Sequence, residues 1–217
     1  MDLNRLQVQT LLNVSSHELD QFMNEKNLPF YTLGEEKRFD LFEIESWMMN
    51  HKFWEAKQSL VPFNLYRALA RGGFLHVEDM QDASILKLGS FCLGEKLAID
   101  PDVLSALLND REKLASTALG GGFAIPHPRE RLEGIMQDIL FIVHLKEGVD
   151  FNALDQKKVH TFFFLLSGSD KSHLNLLSKL AHLIYSSKAH EWIHDSASHS
   201  SILKHMLEWE NEISKTN

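Results

Sequence analysis

Cysteine is nearly missing from this chain: Cys92 is the single one among 217 residues. One cysteine cannot form an intramolecular disulfide, and in an apolar segment it is most often a small core residue. Long apolar runs are also missing, since those at 139–143 and 162–166 are far shorter than the roughly 18 residues of a spanning helix. The start of the chain lacks the basic and then apolar layout of a signal peptide. We therefore expect a cytoplasmic protein without membrane association.

Positive charge is the second deficit. The chain has 22 Lys and Arg against 30 Asp and Glu, a formal net charge of −8, which argues against bulk attraction to nucleic acid or to an anionic membrane. A hydrophobic share of 44% and a charged share of 24% are ordinary for packed domains. The length is enough for one medium-sized domain and a small one.

The most informative segment is a run of three glycines at 120–122 followed by the apolar stretch that ends at His127. Glycine lets a backbone turn tightly and approach an anion closely, and histidine can accept or donate a group near neutral pH. This segment predicts a phosphate-binding turn beside a nucleophilic histidine. The alternative for a glycine-rich stretch is a tight turn before a buried strand, with a histidine that only packs.

The segment 111–129, REKLASTALGGGFAIPHPR, resembles the active-site segment of the fructose/mannitol-type enzyme IIA domains of the bacterial phosphotransferase system, which include the nitrogen-regulatory branch. A second match lies at 162–177, where an apolar strand, a polar loop and His173 resemble the place of the family's second active-site histidine. The resemblance covers about 62–214. It implies an α/β fold, a mixed β-sheet flanked by helices on both faces.

The chain departs from the family pattern at three positions around these histidines. Ala118 and Gly121 stand where the family usually has Gly and Asn, and Pro128 stands where it usually has Gly. A proline restricts the preceding residue, His127, to extended conformations and removes one backbone donor from the loop.

Residue patterns independently predict the order of elements in this larger unit. They indicate a short strand near 74–77 and then helices at 83–97 and 101–114. Three strands follow: one that ends at His127, one at 138–145 and one at 159–167. A helix from 172 and two more helical stretches complete the order. Mixed strands and helices of this kind fit an α/β sandwich with helices on both faces of the sheet.

The resemblance also implies a mechanism. An unprotonated imidazole nitrogen of His127 would attack a phosphoryl group carried by the phosphocarrier HPr or its nitrogen-branch relative, and His173 would hydrogen-bond the phosphoryl oxygens. No cofactor or metal is implied. The candidates for phosphate contact are Arg111, Ser116, Thr117, Gly120, Gly121, Gly122 and Arg129. For the four with side chains, helix capping or surface solvation is the alternative.

Two functions remain open for the carrier. It could pass the phosphoryl group to a IIB unit of a sugar transport system, or it could regulate a protein target through the phosphorylation state of His127. The chain contains neither a IIB nor a IIC unit, so we expect a stand-alone carrier. The alternative from another class is a transcriptional regulator that uses the enzyme IIA domain as a phosphorylation-state sensor.

Residues 1–51 are predicted to form a separate small domain, with a connector at 52–61 and the enzyme IIA-like domain at 62–217. Two helices at 6–12 and 16–26 with a cap at Ser15, a hairpin around Gly34, and a last helix at 41–50 that includes Trp47 resemble the winged helix-turn-helix of excisionases and the MerR type. This domain has four basic and nine acidic residues, a net charge of −5. We therefore expect it to dock on a protein or form a homodimer rather than to bind DNA.

One competing motif is HEWIH at 190–194, which fits the helix of zinc proteases, where two histidines one turn apart bind the metal. The extended form of that motif needs a glycine and a histidine where this chain has Ala197 and Ser200. We therefore expect no metal there, and instead an amphipathic helix with Trp192 and Ile193 packed inward.

Overall fold

The structure is a computed structural model that describes residues 2–12, 14–40, 43–44, 47, 51, 64–78, 80, 84–186, 188–195 and 198–215. The predicted connector at 52–61 and most of the predicted helix at 41–50 lie outside the described residues.

The N-terminal unit combines two helices with a three-stranded antiparallel sheet. Its elements are β1 (Asp2–Asn4), α1 (Arg5–Leu12), α2 (Ser16–Glu25), β2 (Tyr31–Leu33) and β3 (Glu36–Asp40), and the strand order is β1-β3-β2. A capping box starts α2, since Ser15 Oγ accepts the Glu18 N–H at 3.2 Å and the Glu18 carboxylate accepts the Ser15 N–H at 2.7 Å. Both helices and the hairpin were predicted, whereas β1 was not.

The larger unit contains a five-stranded sheet of order β4-β7-β8-β6-β5. Its elements are α3 (Asn64–Arg71), β4 (Gly73–Val77), α4 (Ile85–Leu97), α5 (Pro101–Leu114), β5 (Ala118–Gly120), β6 (Phe123–Ala124), β7 (Ile139–Val149), β8 (Val159–Leu166), α6 (Asp170–Tyr185), α7 (Lys188–Asp195) and α8 (His199–Lys215). The pairs β4–β7 and β6–β8 are parallel, and the pairs β7–β8 and β5–β6 are antiparallel.

Helices cover both faces of this sheet. Successive side chains of the central strands point to opposite faces, so both faces carry apolar side chains that need to be buried. Ile142 and Phe163 face a core built with α3, α6, α7 and α8, while Val143 and Phe162 face a second core built with α4 and α5. The predicted α/β class with a mixed sheet is confirmed. Within the described part of the chain, no helix has both the length and the apolarity needed to cross a bilayer.

Helix α3, which the sequence patterns did not predict, is held by a buried polar network. The Glu210 carboxylate accepts the Tyr66 N–H at 2.9 Å at the start of α3 and pairs with Lys179 Nζ at 2.6 Å. Burial lowers the pKa of Lys179, although the charge of Glu210 opposes that shift. The network ties α3 to α6 and α8, and α3 in turn packs on the sheet.

Candidate active site

The predicted histidines meet at one edge of the sheet, where β8 ends. The chain after β6 continues alongside β8, since the Leu165 N–H donates to the Pro126 carbonyl at 3.0 Å, and this brings His127 to the end of β8. A short loop then leads from β8 into α6, whose first turns carry His173. Parallel strand pairing therefore places one histidine, and the loop into α6 places the other.

His127 and His173 lie side by side. Their ring centroids are 4.9 Å apart with an interplanar angle of 59°, and only 2% of His127 and 9% of His173 are exposed. Ser167 Oγ lies 3.2 Å from His173 Nδ1, which orients the second ring. The structure thus brings together the two residues that the sequence singled out as catalytic.

Hydrogen bonds fix which nitrogen of His127 has the lone pair. Nδ1 lies 2.7 Å from the Ile125 carbonyl oxygen, which can only accept, so Nδ1 carries the proton. Nε2 accepts a hydrogen bond from Nε of Arg111 at 3.3 Å and is therefore unprotonated. The nitrogen of this imidazole that could form a new bond is therefore Nε2.

The last turn of α5 organises the loop before the glycines. Arg111 is buried and also donates to the Ala115 carbonyl at 2.9 Å. The Glu112 carboxylate accepts the Thr117 N–H at 3.0 Å and the Thr117 hydroxyl at 2.6 Å, while the Ser116 hydroxyl donates to the Phe151 carbonyl at 2.8 Å. The hydroxyls of Ser116 and Thr117 thus serve the loop's internal bonding. Sequence reasoning did not assign Glu112, although it directly follows Arg111 in the segment that resembles enzyme IIA.

The glycine turn is not brought to the histidines. It is the hairpin turn between β5 and β6 and lies at the opposite end of β8. Four residues of extended chain separate Gly122 from His127, and at about 3.3 Å per residue they span roughly 13 Å. The N–H of Gly121 donates to Asp155 Oδ2 at 2.8 Å, which lowers the pKa of that carboxyl. At Gly122, with φ +87°, a Cβ would lie 2.2 Å from the His160 ring. Gly120, Gly121 and Gly122 therefore make a tight turn here rather than the predicted phosphate cradle.

Arg129 lies near His127 but faces the N-terminal unit. Its guanidinium is 3.6 Å from the Asp40 carboxylate, and its side chain is 46% exposed. Asp138 is a second residue that sequence reasoning missed: its carboxylate accepts the Gly168 N–H at 3.0 Å and the Ser172 hydroxyl. This holds the loop that presents His173, and only the tertiary structure reveals it.

The competing HEWIH segment lies on α7, beside the glycine turn. His190 packs edge-on against Phe123 with centroids 4.5 Å apart, and burial, followed by the charges of His160 and Lys157, lowers its pKa. Trp192 and Ile193 are buried, as predicted. The side chain of His194 is outside the described set, and within that set no three potential ligands come together for a metal ion.

Comparison with known proteins identifies the family to which this fold belongs. A family model described as "Phosphoenolpyruvate-dependent sugar phosphotransferase system, EIIA 2" matches residues 76–209, which is more than half of the chain. The chain belongs to the enzyme IIA type 2 family. Enzyme IIA components of the phosphotransferase system are phosphotransferases. Membership of this family confirms the prediction that the chain is of the phosphotransferase class.

Relatives come from both the regulatory and the sugar-specific branches. The chain is 43% identical over 76 residues to the nitrogen regulatory protein of Pseudomonas aeruginosa, a match that covers 34% of this chain and 48% of the relative. It is 32% identical over 110 residues to the mannitol-specific enzyme IIA component of Staphylococcus aureus strain Mu50, covering 50% of this chain and 72% of the relative. The chain thus spans about half the length of the Pseudomonas relative.

A solved structure agrees with the fold of the larger unit. The crystal structure of the nitrogen regulatory protein IIA-Ntr from Neisseria meningitidis superposes with a TM-score of 0.58 at 27% identity, and the match covers 65% of this chain and 98% of that one. The match supports the enzyme IIA fold. The resemblance of residues 1–51 to a winged helix-turn-helix remains a prediction.

Proposed function

We propose that this enzyme IIA chain is a phosphocarrier that accepts a phosphoryl group on Nε2 of His127 from HPr or its nitrogen-branch relative. The observation that carries the proposal is the orientation of the buried imidazole. Its proton lies on Nδ1 against the Ile125 carbonyl, and Arg111 donates to the lone pair on Nε2. A side chain held in this tautomer is prepared for nucleophilic attack.

The transfer is an in-line displacement at phosphorus. The Nε2 lone pair of His127 forms the new N–P bond as the N–P bond of the donor's phosphohistidine breaks, and that electron pair returns to the donor imidazole. The positive charge that develops on the His127 ring is stabilised through its Nδ1–H, which donates to the Ile125 carbonyl. The chain needs no cofactor for this step.

The surrounding groups position the ring and neutralise phosphoryl charge. Arg111 is the buried cation at Nε2 of His127. When the phosphoryl group bonds to Nε2, the hydrogen bond from Arg111 to that nitrogen is lost, and the guanidinium then faces the phosphoryl oxygens. His173, oriented by Ser167, is close enough to hydrogen-bond the phosphoryl oxygens. Arg129, an exposed cation beside the histidines, attracts the incoming anion.

Downstream, we favour a regulatory role over sugar transport, with a IIB unit as the alternative acceptor. Nitrogen regulatory proteins are among the relatives, and residues 1–51 add a unit that contacts α6 next to His173. The second candidate, a transcriptional regulator that senses phosphorylation, would require that unit to bind DNA. Its four basic and nine acidic residues oppose such binding. Selection of the full chain against random duplexes at moderate salt should enrich no sequence, and a single enriched sequence would establish the regulator.

The test of the proposed function is labelling by a complete phosphoryl-transfer cascade with labelled phosphoenolpyruvate. The wild-type chain should take up acid-labile, base-stable label, and His127→Ala should take up none. His76→Ala is the matched control, because His76 is an exposed histidine on β4 that pairs with Glu78, away from the histidine pair. Full labelling of His127→Ala would refute the proposal.

A further inference from the structure

The N-terminal unit packs against the edge of the sheet that carries the two histidines. Helix α1 contacts α6, and Leu174, the residue after His173, is only 1% exposed within the apolar cluster of the N-terminal unit. Asp40, at the end of β3, pairs with Arg129, two residues after His127. One contact thus adjoins each histidine.

The reacting nitrogen itself lies in a crowded part of the larger unit. His127 is 2% exposed, and the cleft that reaches His173 past Arg131 and Ser169 has a volume of about 20 Å³, enough for about one water molecule. In-line transfer brings the reacting atoms to about 3–3.5 Å, so the donor's phosphohistidine ring must enter beside His127. The donor must therefore reach the surface beside Arg129, which Asp40 occupies in this structure.

We propose that the N-terminal unit is a cover that competes with the phosphoryl donor for the surface formed by Arg129 and Leu174. The inference rests on the proposed phosphocarrier function. A protein donor typically covers about 800 Å² of its partner, and a footprint centred on His127 includes both of these residues. Transfer at subsaturating donor is then proportional to the fraction of chains in which the cover is open.

Charge makes the cover sensitive to the state of His127. A phosphoryl group adds about 1.5 to 2 negative charges at neutral pH, and it would be placed beside a unit whose net charge is −5. The new anion also competes with Asp40 for the guanidinium of Arg129. Phosphorylation therefore favours the open form, in which the N-terminal unit is released for another contact.

The test is the full-length variant Asp40→Arg, which replaces the ion pair with repulsion between two arginines. Glu36→Arg is the matched control: it changes the charge by the same amount on the same strand, but Glu36 pairs with Arg38 inside its own unit. Initial phosphorylation by phospho-HPr should be about threefold to tenfold faster in Asp40→Arg than in wild type, since an exposed pair and its reversal are each worth a few-fold. Glu36→Arg should match wild type.

A second readout needs no protein donor. Acylation of His127 by diethyl pyrocarbonate, mapped by mass spectrometry of peptides, should rise in Asp40→Arg and not in Glu36→Arg. Asp40→Asn, which retains the side-chain oxygen that accepts the Glu43 N–H at 3.4 Å, should give a smaller rise of the same sign and shows that the effect does not come from unfolding.

The outcomes separate the cover from the proposed function. Equal labelling rates together with equal acylation of His127 in wild type, Asp40→Arg and Glu36→Arg would refute the cover and leave the carrier function standing. No labelling of any chain, wild type included, would refute the carrier function and with it the competition. Faster labelling and acylation confined to the Asp40 variants would support the cover.

Discussion

Replacement of Arg111 by methionine tests the electrostatic part of the proposed mechanism. The Arg111 guanidinium lies 3.3 Å from His127 Nε2, so a phosphoryl group bonded to that nitrogen comes within about 4 Å of the positive charge. Two unit charges at about 4 Å interact by about 4 kcal/mol at an effective dielectric constant of about 20. Loss of one positioned group of this kind typically slows a reaction by about 10²- to 10³-fold. We therefore expect Arg111→Met to slow phosphoryl transfer by that factor.

The assay is single-turnover transfer from phospho-HPr followed by rapid quench. Methionine keeps most of the volume of the buried side chain but removes the bond to the Ala115 carbonyl, which costs about 1 kcal/mol of folding free energy. A thermal melt measures that loss separately. Arg67→Met, which removes the same charge from an exposed position on α3, should transfer at the wild-type rate.

Arg111→Lys extends the test. Lysine retains the charge without the planar fork of the guanidinium, so this variant should recover part of the lost rate. If Arg111→Met transfers within about threefold of wild type while remaining folded, Arg111 does not stabilise the transferred group and the proposed charge neutralisation is wrong.

Three further predictions concern the other histidines. His173→Ala should slow transfer by roughly 10²-fold or more without moving the label from His127, because His173 is proposed to orient the phosphoryl group; a normal rate would remove that assignment. Elemental analysis of the purified protein should find no stoichiometric zinc and assays should find no peptidase activity, whereas one zinc per chain lost in His190→Ala would reverse this. Because burial lowers the pKa of His190 in the folded state, the unfolded chain binds a proton more readily below about pH 6.5. Stability should therefore rise from about pH 5.5 to about pH 7.5, and chemical denaturation should show a smaller rise in His190→Gln; an equal rise would exclude His190 as its source.

Much of the fold was readable from local sequence patterns. The predicted helices and central strands agree with α4 to α6, β7 and β8 to within a few residues, because periodicity and capping act over single turns of helix. Helix α3 was missed, since its first backbone N–H groups are satisfied by Glu210, far along the chain. Propensity cannot report such a partner.

The candidate site was predicted in part, and the limits have the same physical cause. The residue types and motif singled out His127 and His173, and the chain brings them to one sheet edge. The glycine turn was assigned to the same place because it is close in sequence. An extended strand, however, separates residues by about 3.3 Å each, so the four residues between Gly122 and His127 put the turn at the other end of β8.

The sequence by itself determined the α/β class and most helices and strands, because these follow from local periodicity. Short motifs in it also singled out His127 and His173 as the candidate site residues. Only the tertiary structure decided which imidazole nitrogen of His127 has the lone pair, through the Ile125 carbonyl and Arg111. It also decided that the N-terminal unit contacts Arg129, two residues after His127, through Asp40. Hydrogen bonds and ion pairs between residues distant in sequence depend on side-chain positions in the folded molecule, and local sequence patterns do not encode those positions.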